Sequence, residues 1–318
     1  MPNLLRAPTR EYCTASMDSH RWEGFEPRSD DIVVATYPKC GTTWTQRIVD
    51  LLIFQTPEAR PVSDLAPWLD RTIPRIEKLL AVLAAQTHRR SIKTHAPFDA
   101  VPIYESVKYI HVARDGRDAC FSMHNHAFNF RPEWKVQNTQ RAQKDPRIRP
   151  RSEAPEDPRA HFLKWIEEAE EPNPDAFGKE LPFFEFENTY WSERKRENVL
   201  LVHYNDLKAD LPSEMERIAS FLEIAVPRKL MDDLAQAATF EAMKRDGASL
   251  MPGAENVWAQ GADGFFHKGI NDRWKEILTE DDIARYERLA KSKWSEAACA
   301  WIANGRLIAG DPRTISRQ

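Results

Sequence analysis

Residues 36–44 read Thr36-Tyr37-Pro38-Lys39-Cys40-Gly41-Thr42-Thr43-Trp44. The apolar run Ile32 to Tyr37 (IVVATY) leads into this stretch. After it, apolar residues at Trp44, Ile48, Leu51 and Leu52 fall on one helical stripe. A strand therefore runs through a tight turn into a helix, whose free backbone N–H groups and positive dipole end form an anion site. Gly41 leaves room for a phosphate to approach, Thr42 and Thr43 add hydroxyl donors, and Lys39 adds a point charge. Without the lysine the pattern is equally that of an ordinary turn with N-capping threonines. Lys39 between Pro38 and Gly41 tips the reading to phosphate binding. Because that lysine precedes the only glycine, the loop is not the GxxxxGK[ST] type, and ATP hydrolysis is the weaker reading. VKYIHVARD imitates a magnesium-binding strand ending at Asp115, but its internal His111 and adjacent Arg114 speak against one.

Outward from this loop, further strand candidates are Ser91 to Thr94, Val107 to Ala113 and Val199 to Tyr204. The first and last runs of the four are nearly continuous and β-branched or aromatic, as in strands of a parallel sheet buried on both faces. Helix-length segments intervene or follow at Leu79 to Gln86, Ala119 to His126, Pro212 to Leu222 and Asp281 to Trp294. The alternation predicts an α/β fold, a single domain over 1–318 with a central parallel sheet flanked by helices and a P-loop-like phosphate site. Residues 131–180 break the pattern with seven prolines, ten basic and eleven acidic residues and few aliphatics, so they read as a surface insertion or lid. Residues 247–269 hold five of the chain's eleven glycines and read as a loop.

The chain has 318 residues, 42% hydrophobic and 30% charged, and 45 Lys+Arg against 49 Asp+Glu leave a net charge of −4. That balance excludes a disordered chain and a polybasic nucleic-acid binder. The N-terminus lacks an apolar leader, and no stretch approaches the roughly 18 apolar residues of a membrane span, so a cytoplasmic protein is expected. Cys13, Cys40, Cys120 and Cys299 are scattered without a CxxC pair, which argues against a zinc knuckle and a disulfide framework. No metal is expected.

Three segments together carry a family resemblance. YPKCGTTW resembles the 5′-phosphosulfate loop of the soluble sulfotransferases, in which serine is more common where this chain has Cys40. VARDGRDACFSMHNH, residues 112–126, is similar to that family's 3′-phosphate segment, with Arg114 and Ser122 at the matching spacing. FFHKGINDRWK, residues 265–275, resembles its C-terminal RKGxxxxWK loop. The motifs span residues 25–280, about the whole fold.

The resemblance implies a PAPS-dependent sulfotransferase, moving the sulfuryl group of 3′-phosphoadenosine 5′-phosphosulfate (PAPS) to a hydroxyl or amine of a small, hydroxylated or phenolic acceptor. It implies that Lys39 stabilises the leaving phosphate oxygen and that His95, in the KTH-like SIKTHAPFD, is the general base. Lys93, on the same strand face as His95, would hold the sulfonate. Arg114 and Ser122 would bind the 3′-phosphate, Ser122 also restraining Lys39; Lys268 and Gly269 would bind the same phosphate. Trp44, Tyr204 and Phe240 align with adenine contacts. His267 stands where the family usually has arginine, and Ala238 where it often has a polar adenine contact. His124 and His126 resemble nothing catalytic. The segment after Trp274 lacks the family's KxxxTVxxxE dimer motif, so that dimer is not implied. The alternatives are a P-loop-like nucleotide kinase or ATPase and a catalytically silent nucleotide-binding scaffold.

Overall fold

The computed structural model describes residues 2–145, 147, 153–170, 181–266 and 268–316. Its centre is a four-stranded, all-parallel sheet made of β1 (Ile32–Thr36), β2 (Ser91–Thr94), β3 (Lys108–Ala113) and β4 (Val199–His203), in the order β2-β1-β3-β4. Register is fixed by pairs such as Val33 with Ile92, Val34 with Ile110 and His111 with Leu201. The chain steps from β1 to one side and then crosses back to the other, so the β1/β3 junction is where strand order reverses. Ligand crevices form there, beyond the carboxyl ends of the strands.

The strands lack a polar face because both faces are covered. Ile32, Val34, Ile110, Val112, Leu200 and Val202 turn to one side and pack with Ile48, Leu51 and Leu52 of α1 (Thr42–Phe54). Val33, Ala35, Ile92, Tyr109, Val199 and Leu201 turn to the other, an aromatic-rich core holding Phe183, Phe184 and Trp301. Arg90 and Asp31, at the entry ends of β2 and β1, form a two-pronged ion pair (Nε–Oδ1 2.8 Å, Nη2–Oδ2 2.5 Å) that is almost wholly buried. Leu4–Arg6 and Ile103–Tyr104 add a small antiparallel pair outside this sheet.

The sequence reading of the strands and of the helix after Gly41 agrees with this architecture; two other readings do not. The stretch 131–180, expected as a surface insertion, is in part a core element. Beyond α2 (Gly116–Phe128) it contains α3 (Pro132–Lys144) and α4 (Pro158–Glu170), and α4 buries Phe162 and Ile166 completely, with Phe162 stacked on Phe121 at 5.7 Å. Aliphatics are few there because Phe162, Trp165, Ile166 and Ala169, spaced for one helical face, do the packing. Residues 146, 148–152 and 171–180 of the proposed lid lie outside the described residues. The stretch 247–269, expected as a loop, is a chain of short turns: Gly247–Leu250, Ala254–Asn256 and Gly261–Phe265 are helical. Its glycines punctuate the turns rather than dissolve them, Gly253 and Gly261 standing at φ +81° and +57° where a side chain would be strained. No described helix is long and apolar enough to cross a membrane.

Candidate active site

The turn after β1 is held by two left-handed residues, Lys39 at φ 70° and Gly41 at φ 112°. Gly41 caps α1, and its absent Cβ leaves the space against the Tyr204 ring, where an added carbon would stand 3.1 Å from Cδ2. Thr42 and Thr36 share a hydroxyl hydrogen bond at 2.6 Å, which ties the helix start to the strand end. Cys40, expected with the rest of this loop to bind the donor, does not line the cavity: its side chain is wholly buried, its N–H donates to Tyr37 O at 3.3 Å, and burial pushes its thiol well up.

A cavity of about 2940 Å³ opens over the carboxyl ends of the strands. Each strand delivers a residue to it just past its last position: Lys39 after β1, His95 after β2, Arg114 after β3 and Tyr204 after β4. Thr42, Thr43, Trp44 and Lys93 line the same space, as does Ser122 on α2. From the C-terminal side come Phe240, Lys268 and Gly269. Residues spread over more than two hundred positions thus converge on one cavity. His267 lies outside the described residues.

His95 is oriented by the backbone. Its Nδ1 stands 2.8 Å from Thr36 O, a partner that can only accept, so Nδ1 carries the proton and Nε2 keeps its lone pair. Its ring stands edge-on to Trp68 at 4.8 Å. Burial and the Lys93 ammonium hold its pKa well below the usual imidazole range, so it is neutral at pH 7. Lys93 Nζ lies over the Trp68 ring at 4.5 Å, and burial with the nearby Arg71 charge lowers it to about 7. Lys39 is lowered to about 8 by burial and by Arg114; its Nζ sits 4.6 Å over Phe265 and 3.5 Å from His126 Nδ1.

At the other end Arg114 is 5% exposed, with its guanidinium 4.2 Å over Tyr204. Tyr204 meets Trp44 edge-on at 5.2 Å, and Trp44 Nε1–H donates to Ala238 O at 2.7 Å, so Ala238 contributes its carbonyl where its side chain offers nothing polar. The Phe240 ring lies against the Gly269 backbone, where a Cβ would come within 2.6 Å of Cδ2. The segment 268–272 is tied down by Lys208 Nζ donating to Gly269 O at 2.7 Å and by Asp272 N–H donating to Asp118 Oδ1 at 2.9 Å. Among the described residues, one trio of possible metal ligands, Glu11, His20 and Glu23, also lines the cavity. Its His20 is already bonded by Glu11 at 2.9 Å and Asp18 at 3.0 Å, the arrangement of an imidazolium between carboxylates.

Sequence reasoning missed Trp68, Phe265 and Asn271; His126, which resembles nothing catalytic, lines the cavity. Trp68 lies in a stretch without clear periodicity, and Asn271 sits inside a quoted motif at a position that carries no pattern of its own.

A sulfotransferase domain matches the chain over residues 29–298. The chain is 34% identical over 309 residues to a glycolipid sulfotransferase of Mycobacterium bovis, covering 93% of this chain and 94% of that one. It is 28% identical over 280 residues to sulfotransferase 1 family member D1 of Rattus norvegicus, covering 84% and 83%. Among solved structures, retinol dehydratase in complex with androsterone and inactive cofactor PAP matches with TM-score 0.64 and 22% identity, covering 87% of this chain and 84% of that one. A mouse sulfotransferase complexed with PAP matches with TM-score 0.59 and 20% identity, covering 87% and 89%; these two likenesses concern the fold.

Proposed function

The chain belongs to the sulfotransferase family and is an enzyme of that family, and from that premise we propose that it transfers the sulfuryl group of PAPS to a hydroxyl, or amine, of a small acceptor. The observation that carries the reading is a charge imbalance. Lys39, Lys93 and Arg114 face one cavity, and among the described residues none makes an ion pair with a carboxylate. Basic groups withdrawn from water without counter-ions are costly to keep charged, and a ligand bearing several negative charges supplies what the fold leaves out. PAPS has three such groups, a phosphate and a sulfate joined at its 5′ end and a phosphate at its 3′ position, and PAP, its product, is the ligand in the two solved structures above.

Each residue then has a task. Lys39 sits where the bridging oxygen of the leaving phosphate gains charge, and Lys93 where the transferred sulfonate passes. Thr42, Thr43 and the Gly41 turn receive the 5′-phosphate. Arg114, with Ser122 and Lys268, receives the 3′-phosphate, while Trp44, Tyr204 and Phe240 provide the aromatic surfaces an adenine requires. The acceptor's proton goes to His95 Nε2 as the new S–O bond forms and the old one to the phosphate breaks. Positioning and charge neutralisation, rather than a covalent intermediate with the protein, supply the rate. On the acceptor side Trp68, Phe130, Trp258 and Phe265 suit an apolar or phenolic molecule, and the mycobacterial relatives named glycolipid sulfotransferases make hydroxylated glycolipids part of the panel to be tested.

The test is incubation with labelled PAPS and a panel of phenols, alcohols and glycolipids, following labelled product and PAP. His95→Ala should lose roughly 10²–10⁴ in turnover while keeping its affinity for PAP. Turnover that survives in His95→Ala would remove the base from the mechanism.

A further inference from the structure

We propose that Asn271 is a positioning residue for the 3′-phosphate: its neutral amide fixes the Arg114 guanidinium without neutralising it, and so sets the preference for a 3′,5′-bisphosphate over a 5′-monophosphate. The inference rests on the reading of the donor site given above and goes beyond it by naming the residue through which Arg114 becomes selective.

Of the five N–H groups of a guanidinium, four are engaged in Arg114. Nε and Nη2 both donate to Asn271 Oδ1, at 3.2 and 2.6 Å; Nη2 also donates to Ile270 O at 3.3 Å, and Nη1 to Lys39 O at 3.2 Å. Every acceptor is a neutral oxygen. With Tyr204 beneath its face, the fork is held in plane and rotation with no carboxylate bonded to it, the Asp118 carboxylate acting on it only through space.

The amide orientation follows from donor and acceptor types. Arginine only donates, so the oxygen of Asn271 must face it, and Nδ2 then donates to Asn205 Oδ1 at 2.6 Å. Asn205 passes the pattern on, Nδ2 donating to Ala303 O at 3.3 Å, while its backbone N–H donates to His203 Nδ1 at 3.1 Å. The hydrogen bonds run in one direction from Arg114 through two amides to a main-chain carbonyl, each polarising the next. Asparagine fits both ends of this relay. Aspartate at 271 would place a full negative charge on Arg114, competing with a phosphate for the same fork, and would set a carboxylate oxygen against Asn205 Oδ1. Alanine would leave the Nε edge without its side-chain acceptor.

The test measures affinities of the full-length wild type, Asn271→Asp and Asn271→Ala for PAP and for adenosine 5′-phosphate by calorimetry. The wild type should prefer PAP. In Asn271→Asp the affinity for PAP should fall about tenfold or more, as expected for a lost hydrogen-bonding arrangement around a charged group, with adenosine 5′-phosphate binding unchanged. Asn271→Ala should narrow the preference in the same direction. Equal losses for both ligands would mark a structural role only and overturn the inference, as would an unaltered preference in both variants. A wild type that binds the two ligands equally would instead overturn the donor-site reading itself.

Discussion

Binding of PAP near neutral pH should draw protons from solution, and the amount follows from the two cavity lysines. Burial holds Lys93 at about 7 and Lys39 at about 8, against 10.5 for an ordinary lysine. At pH 7.5 an amine with the first value is roughly three-quarters neutral and one with the second roughly one-quarter neutral. The 5′-phosphate brought against Lys39, its terminal oxygens facing Lys93 where the sulfonate of PAPS would stand, restores both ammonium forms, so binding should take up about one proton per site at that pH and about a tenth of a proton from these groups at pH 6. Calorimetry in two buffers of different ionisation enthalpy reads the number directly. Lys93→Met should remove most of the uptake and Lys39→Met the smaller share, which also separates the lysines from the ligand's own phosphate titration near pH 6. The free enzyme carries the complementary signature. Its folded lysines bind fewer protons than the unfolded chain, so these groups make stability rise with pH from about 7 toward 10.5. Saturating PAP should flatten that rise. Tight binding at pH 7.5 without proton uptake would refute the argument that desolvation keeps these amines largely neutral until an anion arrives.

Two further substitutions probe the frame around the site. Gly269→Ala would need a left-handed alanine at φ 62° with Cβ 2.6 Å from the Phe240 ring. The conformation alone costs on the order of 1–2 kcal/mol, so the melting temperature should drop by a few degrees and PAP affinity should fall with the displaced ring; an unchanged affinity would remove Phe240 from the adenine site. Asp31→Asn breaks the buried pair with Arg90 and should cost about 3–5 kcal/mol in urea unfolding. Combined with Arg90→Met the loss should shrink, because no buried guanidinium is then left alone; strictly additive losses would contradict a buried pair.

What was legible in the sequence is what local patterns encode. IVVATY and VLLVHY announce doubly covered strands because every position must be apolar when both faces are packed. The loop at Lys39 and Gly41 is legible because the phosphate site is made by consecutive residues at one strand-to-helix junction. The clamp is not local: Asn271 meets Arg114 across 157 positions, and no periodicity reports a single amide placed by two separate elements. The acceptor wall escaped for a related reason. Phe130 and Trp258 are joined by an isolated antiparallel bridge, with Arg131 N–H donating to Val257 O and Ala259 N–H to Asn129 O, both at 2.9 Å. Trp258 falls in the glycine-rich stretch read as a loop and Phe130 just before the proline- and charge-rich stretch read as a lid, so neither composition reported that the two are bridged.

That bridge changes how the two halves of the cavity relate. Lys39 has its backbone fixed on the donor side, between β1 and α1, in a left-handed conformation that a lysine adopts at a cost of order 1 kcal/mol. Its ammonium, however, rests on the other half, over Phe265 and beside His126, whose ring in turn packs on Phe130 at 4.6 Å and Trp258 at 5.7 Å. The position of the charge that answers the leaving phosphate therefore depends on side chains that also line the acceptor space. A change in that aromatic wall cannot be confined to acceptor choice, because it alters what holds the Lys39 ammonium before transfer. Donor affinity, carried by Arg114 and the 268–272 clamp at the far end, should respond far less, since none of the hydrogen bonds of that clamp passes through the wall.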